Sequence, residues 1–147
     1  TANDVGINVT GNVLQVVNAS TTTEVATTST TFIDTGLTAS ITPSSTSSKI
    51  LLLYTLQQFT NANGAVSKFK LFRDSTELIL FGFQGYAGSS TLMSKGSHQF
   101  LDSPSTTSAI TYKVQFNSAI GGFNALMQYD DSNGDGISEM TLMEIAG

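Results

Sequence analysis

The most constraining feature of this sequence is a period of two. Ile110, Tyr112, Val114 and Phe116 are interleaved with Thr111, Lys113 and Gln115, and Leu37, Ala39 and Ile41 with Thr38, Ser40 and Thr42. Successive side chains of an extended strand point to opposite faces, so each segment carries one apolar and one polar face. No stretch sustains the 3.6-residue apolar spacing of an amphipathic helix over three turns. Without helices to cover a sheet, the core must form between sheets. Eight or nine such strands at intervals of about 8–12 residues predict an all-β fold, an antiparallel β-sandwich of the jelly-roll kind.

Composition agrees. Ser and Thr make up 40 of the 147 residues, while Asp, Glu, Lys and Arg together reach only 12%. Threonine is stiff at χ1 and suits a pleated surface better than a helix. The net charge of -5 repels phosphate backbones, and Lys68, Lys70 and Arg73 form the densest basic group. They are expected on one solvated strand face, and nucleic acid is not expected as a partner. With no cysteine there are no disulfides, thiolate nucleophiles or Cys-based zinc sites. No apolar run approaches the roughly 20 residues of a membrane span and no signal segment opens the chain, so a soluble chain without membrane insertion is expected.

Turn chemistry divides the chain. Residues 1–11 read as a lead-in or linker arm and residues 12–147 as a single β-sandwich domain. The Thr- and Ser-rich stretch from Ser20 to Thr31 fits either a polar edge strand or an extended surface segment. Pro43 to Ser48 is a turn, Asn63-Gly64 signals a hairpin between the strands on either side, and Arg73-Asp74-Ser75 makes the next turn. Leu92, Met93, Phe100 and Leu101 suggest a strand interrupted at Gly96, and Phe123 to Tyr129 with Ile137 to Ile145 a terminal hairpin.

Two segments break the one-sided pattern. Ile50 to Tyr54 and Leu78 to Phe81 are apolar at consecutive positions, hence on both faces. One face belongs to the core. Burying a large aliphatic side chain is worth about 1.5–3 kcal/mol, so the second face also calls for cover. Leu51, Leu53, Ile79 and Phe81 are therefore candidate contacts of a homotrimer, or core contacts if twist and loops cover them within one chain.

Chemistry-bearing constellations are sparse. A hydrolytic triad needs an imidazole, and the single histidine, His98, has nothing of a nucleophile elbow around it. It reads as a surface or strand histidine. Glu24, Glu77, Glu139 and Glu144 are scattered and fit solvated strand positions better than the paired carboxylates of a glycosidase. Asp131, Asn133 and Asp135, followed by Gly136, match the opening of a calcium loop, but its twelfth position is Leu142 where a bidentate Glu is needed. Calcium is thus the one conceivable cofactor, and a polar hairpin tip the simpler account. Asn8-Val9-Thr10 and Asn18-Ala19-Ser20 match the glycosylation pattern, as chance allows in a chain this rich in Ser and Thr.

Four segments in order, residues 11–17 (GNVLQVV), 38–51 (TASITPSSTSSKIL), 101–116 (LDSPSTTSAITYKVQF) and 141–147 (TLMEIAG), resemble a β-domain recurrent in tail-fibre and other virion proteins of bacteriophages, especially marine and cyanobacterial ones. The resemblance implies a non-enzymatic, trimeric domain on the virion surface, with a fibre shaft or the major capsid protein as partner. It implies no metal or active-site residue. Asp4-Val5-Gly6-Ile7 resembles linker sequence in longer fibres, which favours a distal tail-fibre domain over a small capsid decoration protein. Variable loops would then carry adhesion to a host-surface glycan or receptor, through Asn63, Tyr86 and Tyr129. A glycan-degrading enzyme is the third reading.

Overall fold

The structure is a computed structural model that describes residues 11–60, 66–84, 92–130 and 136–147. Asn63, Tyr86, Asp131, Asn133 and Asp135, and with them the calcium-loop match, lie outside the described residues. Ten strands follow in order: β1 (Val13–Thr21), β2 (Val25–Thr27), β3 (Ile33–Ile41), β4 (Lys49–Thr60), β5 (Val66–Arg73), β6 (Thr76–Gln84), β7 (Leu92–Asp102), β8 (Ile110–Ser118), β9 (Ala125–Met127) and β10 (Ser138–Ile145). No helix among the described residues is long and apolar enough to cross a membrane.

The strands form two antiparallel sheets packed face to face. The larger runs β1-β10-β4-β7, with β9 and β2 continuing beside the far end of β4; the smaller runs β3-β8-β5-β6. Apart from β1–β2, β5–β6 and β9–β10, every step along the chain crosses from one sheet to the other. This interleaved order is that of a jelly roll.

The core lies where the inward phases meet. Ile50, Leu52, Tyr54 and Leu56 of β4, with Met140 and Leu142 of β10, face Leu37 and Ala39 of β3, Phe69 and Leu71 of β5, and Tyr112, Val114 and Phe116 of β8. The alternation at 110–116 therefore sorts as expected, all four apolar residues being buried. Ile79 and Phe81 also turn inward, because their partners in the ladder are Leu71 and Phe69. Phe81 stacks on Phe69 at 5.5 Å and meets Tyr54 at 5.8 Å. Of the apolar run in β6, Leu80 is the one left exposed.

Five local expectations are corrected by the pairing. β4 and β5 belong to different sheets, so they are not the paired strands of the hairpin that Asn63-Gly64 signals. β9 does not pair with β10: β10 takes Lys49–Thr55 along one edge of β4, which leaves Gln58–Thr60 of that same edge for β9. β7 runs without interruption through Gly96, held by pairing to β4 along its whole length. The ladder between β5 and β6 shifts register after Leu71, and Arg73 turns away from the lysine face to bond Asp102 at 2.7 Å. Tyr112 donates to the same carboxylate oxygen at 2.7 Å, so the three tie β5 and β8 to the end of β7.

Glu144 is the fifth correction, for it is fully buried. It shares the inward phase of Met140 and Leu142, a parity already present in the sequence. Its carboxylate accepts the Gln15 amide at 2.6 Å and both the backbone N–H and the hydroxyl of Ser44 at 2.7 Å. Gln15 also donates to the Thr42 carbonyl at 2.7 Å. One carboxylate thus clamps the β3–β4 turn to β1 and β10. Burial alone would raise its pKa, but polar groups of Ser48, Gln15 and Ser44 that favour the charged form outweigh it and hold the pKa near 2. A depressed carboxylate stabilises the fold above its unfolded pKa and loses that contribution as pH falls. Chemical denaturation midpoints should therefore be level near neutrality and drop as pH falls from 4.5 towards about 2. In Glu144→Gln the drop should be shallower, with lower stability at pH 7.

Candidate functional site

Because the larger sheet is antiparallel, residues directly opposite one another on neighbouring strands share a face. Its outward face can be read row by row. Val16, Met143, Leu51 and Leu101 line up across β1, β10, β4 and β7 as one apolar row. The next row is Asn18, Thr141, Leu53 and Gln99, and the one after it Ser20, Glu139, Thr55 and Ser97. Val13, Leu14 and Ile145 extend the apolar end, where a register shift between Val13 and Gln15 interrupts the β1 ladder. Val16 is 56% exposed, Leu101 53% and Leu53 37%, and Val13 and Leu14 are exposed as well.

The contrast with the smaller sheet is chemical. Its outward face carries Lys70 paired with Glu77 at 2.7 Å, Lys113 paired with Asp34 at 3.0 Å, and the same two lysines over the rings of Phe32 and Phe72. That is an ordinary solvated face. The larger sheet instead presents apolar side chains towards one end, bordered by Lys49 opposite Ile145, and polar ones beyond them, among them the carboxylate of Glu139. The four residues singled out for their doubly apolar strands therefore divide: Ile79 and Phe81 pack against the core, whereas Leu51 and Leu53 face outward.

Beyond the apolar row the outward face sinks into a shallow depression of about 620 Å³. Asn18, Leu53, Thr55, Ser97, Gln99, Glu139 and Thr141 line it, together with Tyr54 and His98 of the opposite phase. Asn18 donates to the Thr141 hydroxyl at 3.0 Å, and the Thr55 and Ser97 hydroxyls meet at 3.1 Å. Sequence reading missed this set because its members are common polar residues on four strands far apart in the chain. Their shared outward phase is legible, but their juxtaposition depends on the register.

His98 takes the opposite phase of β7. Its ring stacks on Phe81 at 4.8 Å, and its Nδ1 lies 3.1 Å from the Tyr54 hydroxyl. Burial pushes the Tyr54 hydroxyl above its ordinary range, so it stays protonated at neutral pH. The pair is a polar plug between the sheets, with the geometry of packing. Tyr129 is half-buried, its ring stacked on Phe59 at 4.1 Å and its carbonyl bonded by the Gln57 amide at 3.2 Å. One face of that ring is thus already taken.

No family profile matches the sequence, and no curated protein matches it. A solved structure of infectious bursal disease virus, Gx strain, is similar in shape, with a TM-score of 0.45 and 9% identity. The match covers 91% of this chain and 37% of the viral one, so this chain spans little more than a third of its length.

If His98 serves packing, its replacement should affect stability in a defined way. His98→Leu leaves the buried Tyr54 hydroxyl without its partner and should cost roughly 1–3 kcal/mol in urea denaturation. His98→Gln offers that hydroxyl a partner again and should recover most of the loss.

Proposed function

We propose that this chain is a non-enzymatic structural module of a virion surface that assembles as a homotrimer through the apolar end of its larger sheet. The observation that carries this reading is the row Val16, Met143, Leu51 and Leu101, widened by Val13 and Leu14. Each large side chain removed from water there contributes about 1.5–3 kcal/mol, and several contiguous ones on a face that carries no ion pair among the described residues suit a second copy of the same chain. The resemblance of four segments to phage virion domains supplies the setting, the particle exterior, and the number three.

Within that setting the reading favoured is a distal tail-fibre domain that adheres to a host-surface glycan or receptor. A capsid decoration protein would share the sandwich and the trimer but bind assembled heads through its N-terminal segment. Purified protein mixed separately with host cells and with empty capsids distinguishes them: retention on cells supports adhesion, retention on capsids supports decoration.

Assembly itself is tested by native mass determination. The untagged protein should appear near three times 15.5 kDa, and its melting temperature should rise with concentration, as coupled folding and association require. Leu101→Lys together with Val16→Thr changes exposed positions and should cost a protomer no more than about 0.5 kcal/mol. It should nevertheless run as a monomer whose melting is independent of concentration. A wild-type protein strictly monomeric at micromolar concentration would remove the assembly reading.

A further inference from the structure

The polar half of the same sheet face has a chemistry distinct from the apolar row beside it. Nine residues surround the depression, Tyr54 and His98 of the inward phase and seven outward ones from β1, β4, β7 and β10 whose side chains are amides, hydroxyls, one carboxylate and one aliphatic group. Its volume of about 620 Å³ lies in the range of sites that hold small ligands. The strands beneath are paired on both sides at β4 and β10, so the lining sits on a rigid floor.

Two internal hydrogen bonds set the rotamers in advance. With Asn18 donating to Thr141, its carbonyl oxygen and second amide proton remain for a ligand. With Thr55 and Ser97 sharing one hydrogen, the pair still offers a donor and several lone pairs. Gln99 and Glu139, both exposed, add an amide and a carboxylate at the rim. Such a set offers both donors and acceptors, as vicinal hydroxyls that give and accept hydrogen bonds require. Leu53 in the middle offers an apolar contact for C–H groups.

Charge narrows the ligand further. Neither lysine nor arginine lines the depression, and its one charged side chain is Glu139 in a chain of net charge -5. Anionic ligands are repelled there, whether phosphate, sulfated sugar or uronic acid. An extended peptide would seek the open hydrogen-bonding edge of a sheet, not a face whose backbone groups are already paired.

We propose that this depression is a binding site for a neutral oligosaccharide. The site deepens the adhesion reading given above and takes from it only the setting; it lies within one protomer and requires no assembly. It also moves the binding function from the loops to the sheet.

The test is titration of the isotope-labelled 147-residue protein with neutral oligosaccharides of glucose, galactose and mannose, and with oligogalacturonate as the anionic control. At least one neutral probe should shift the amide resonances of Asn18, Leu53, Ser97, Gln99 and Thr141 at millimolar concentration. Asn18→Ala combined with Gln99→Ala should weaken that binding roughly tenfold or more while leaving the fold intact. The monomer-forming variant with Leu101→Lys and Val16→Thr lies outside the depression, and both it and Leu101→Lys alone should bind as the wild type does. Three results would each overturn the proposal: no shift with any neutral probe, binding that survives the double alanine substitution, or equal binding of oligogalacturonate. Loss of binding in Leu101→Lys would do so too, by placing the site at an interface, and it would leave the assembly reading standing.

Discussion

Strand β4 is the member on which the architecture hangs. Its one edge is shared, β10 pairing with Lys49–Thr55 and β9 with Gln58–Thr60, while its other edge is paired with β7 from Ile50 to Thr60. Its inward phase supplies Ile50, Leu52, Tyr54 and Leu56 to the core, and its outward phase places Leu51 beside Leu53 on the open face. A strand with neighbours on both edges cannot slip by one residue without exchanging these two sets, which would drive the core side chains into water. The register of the larger sheet, and so the composition of each row on its surface, follows from that constraint.

How much of this could be read from the sequence depended on distance along the chain. The alternation at 110–116 and at 37–41 was unambiguous because it is local, and both segments became inward-facing strands of the smaller sheet. Strand pairing is not local. Asn63-Gly64 carries a strong turn signal, yet a turn signal does not say whether the next strand lies in the same sheet or the opposite one. The short strand β9 lies within the segment Phe123 to Tyr129 that reads as a strand, though with another partner than expected, and β2 lies within the stretch from Ser20 to Thr31 whose strand character the sequence left open; counting β2 gives ten strands.

The candidate site was less legible than the fold. Leu51 and Leu53 stood out by being apolar where a one-sided strand would be polar, but the same argument applied to Ile79 and Phe81, which the ladder with β5 turns towards the core. Glu144 was misplaced because a carboxylate suggests solvent. Its parity with Met140 and Leu142 was the better guide, since a buried charge is tolerated where several donors converge on it.

The position of β10 has a bearing on how the molecule reaches this state. It threads between β1 and β4, so Gln15 finds Glu144, and Lys49 finds Ile145, only across most of the polypeptide. Without β10, strand β1 has no partner in the larger sheet and Lys49–Thr55 of β4 are left with one open edge. Closure by such remote segments is slow compared with the assembly of helical bundles. Refolding of this chain is therefore expected to be limited by the meeting of its two ends.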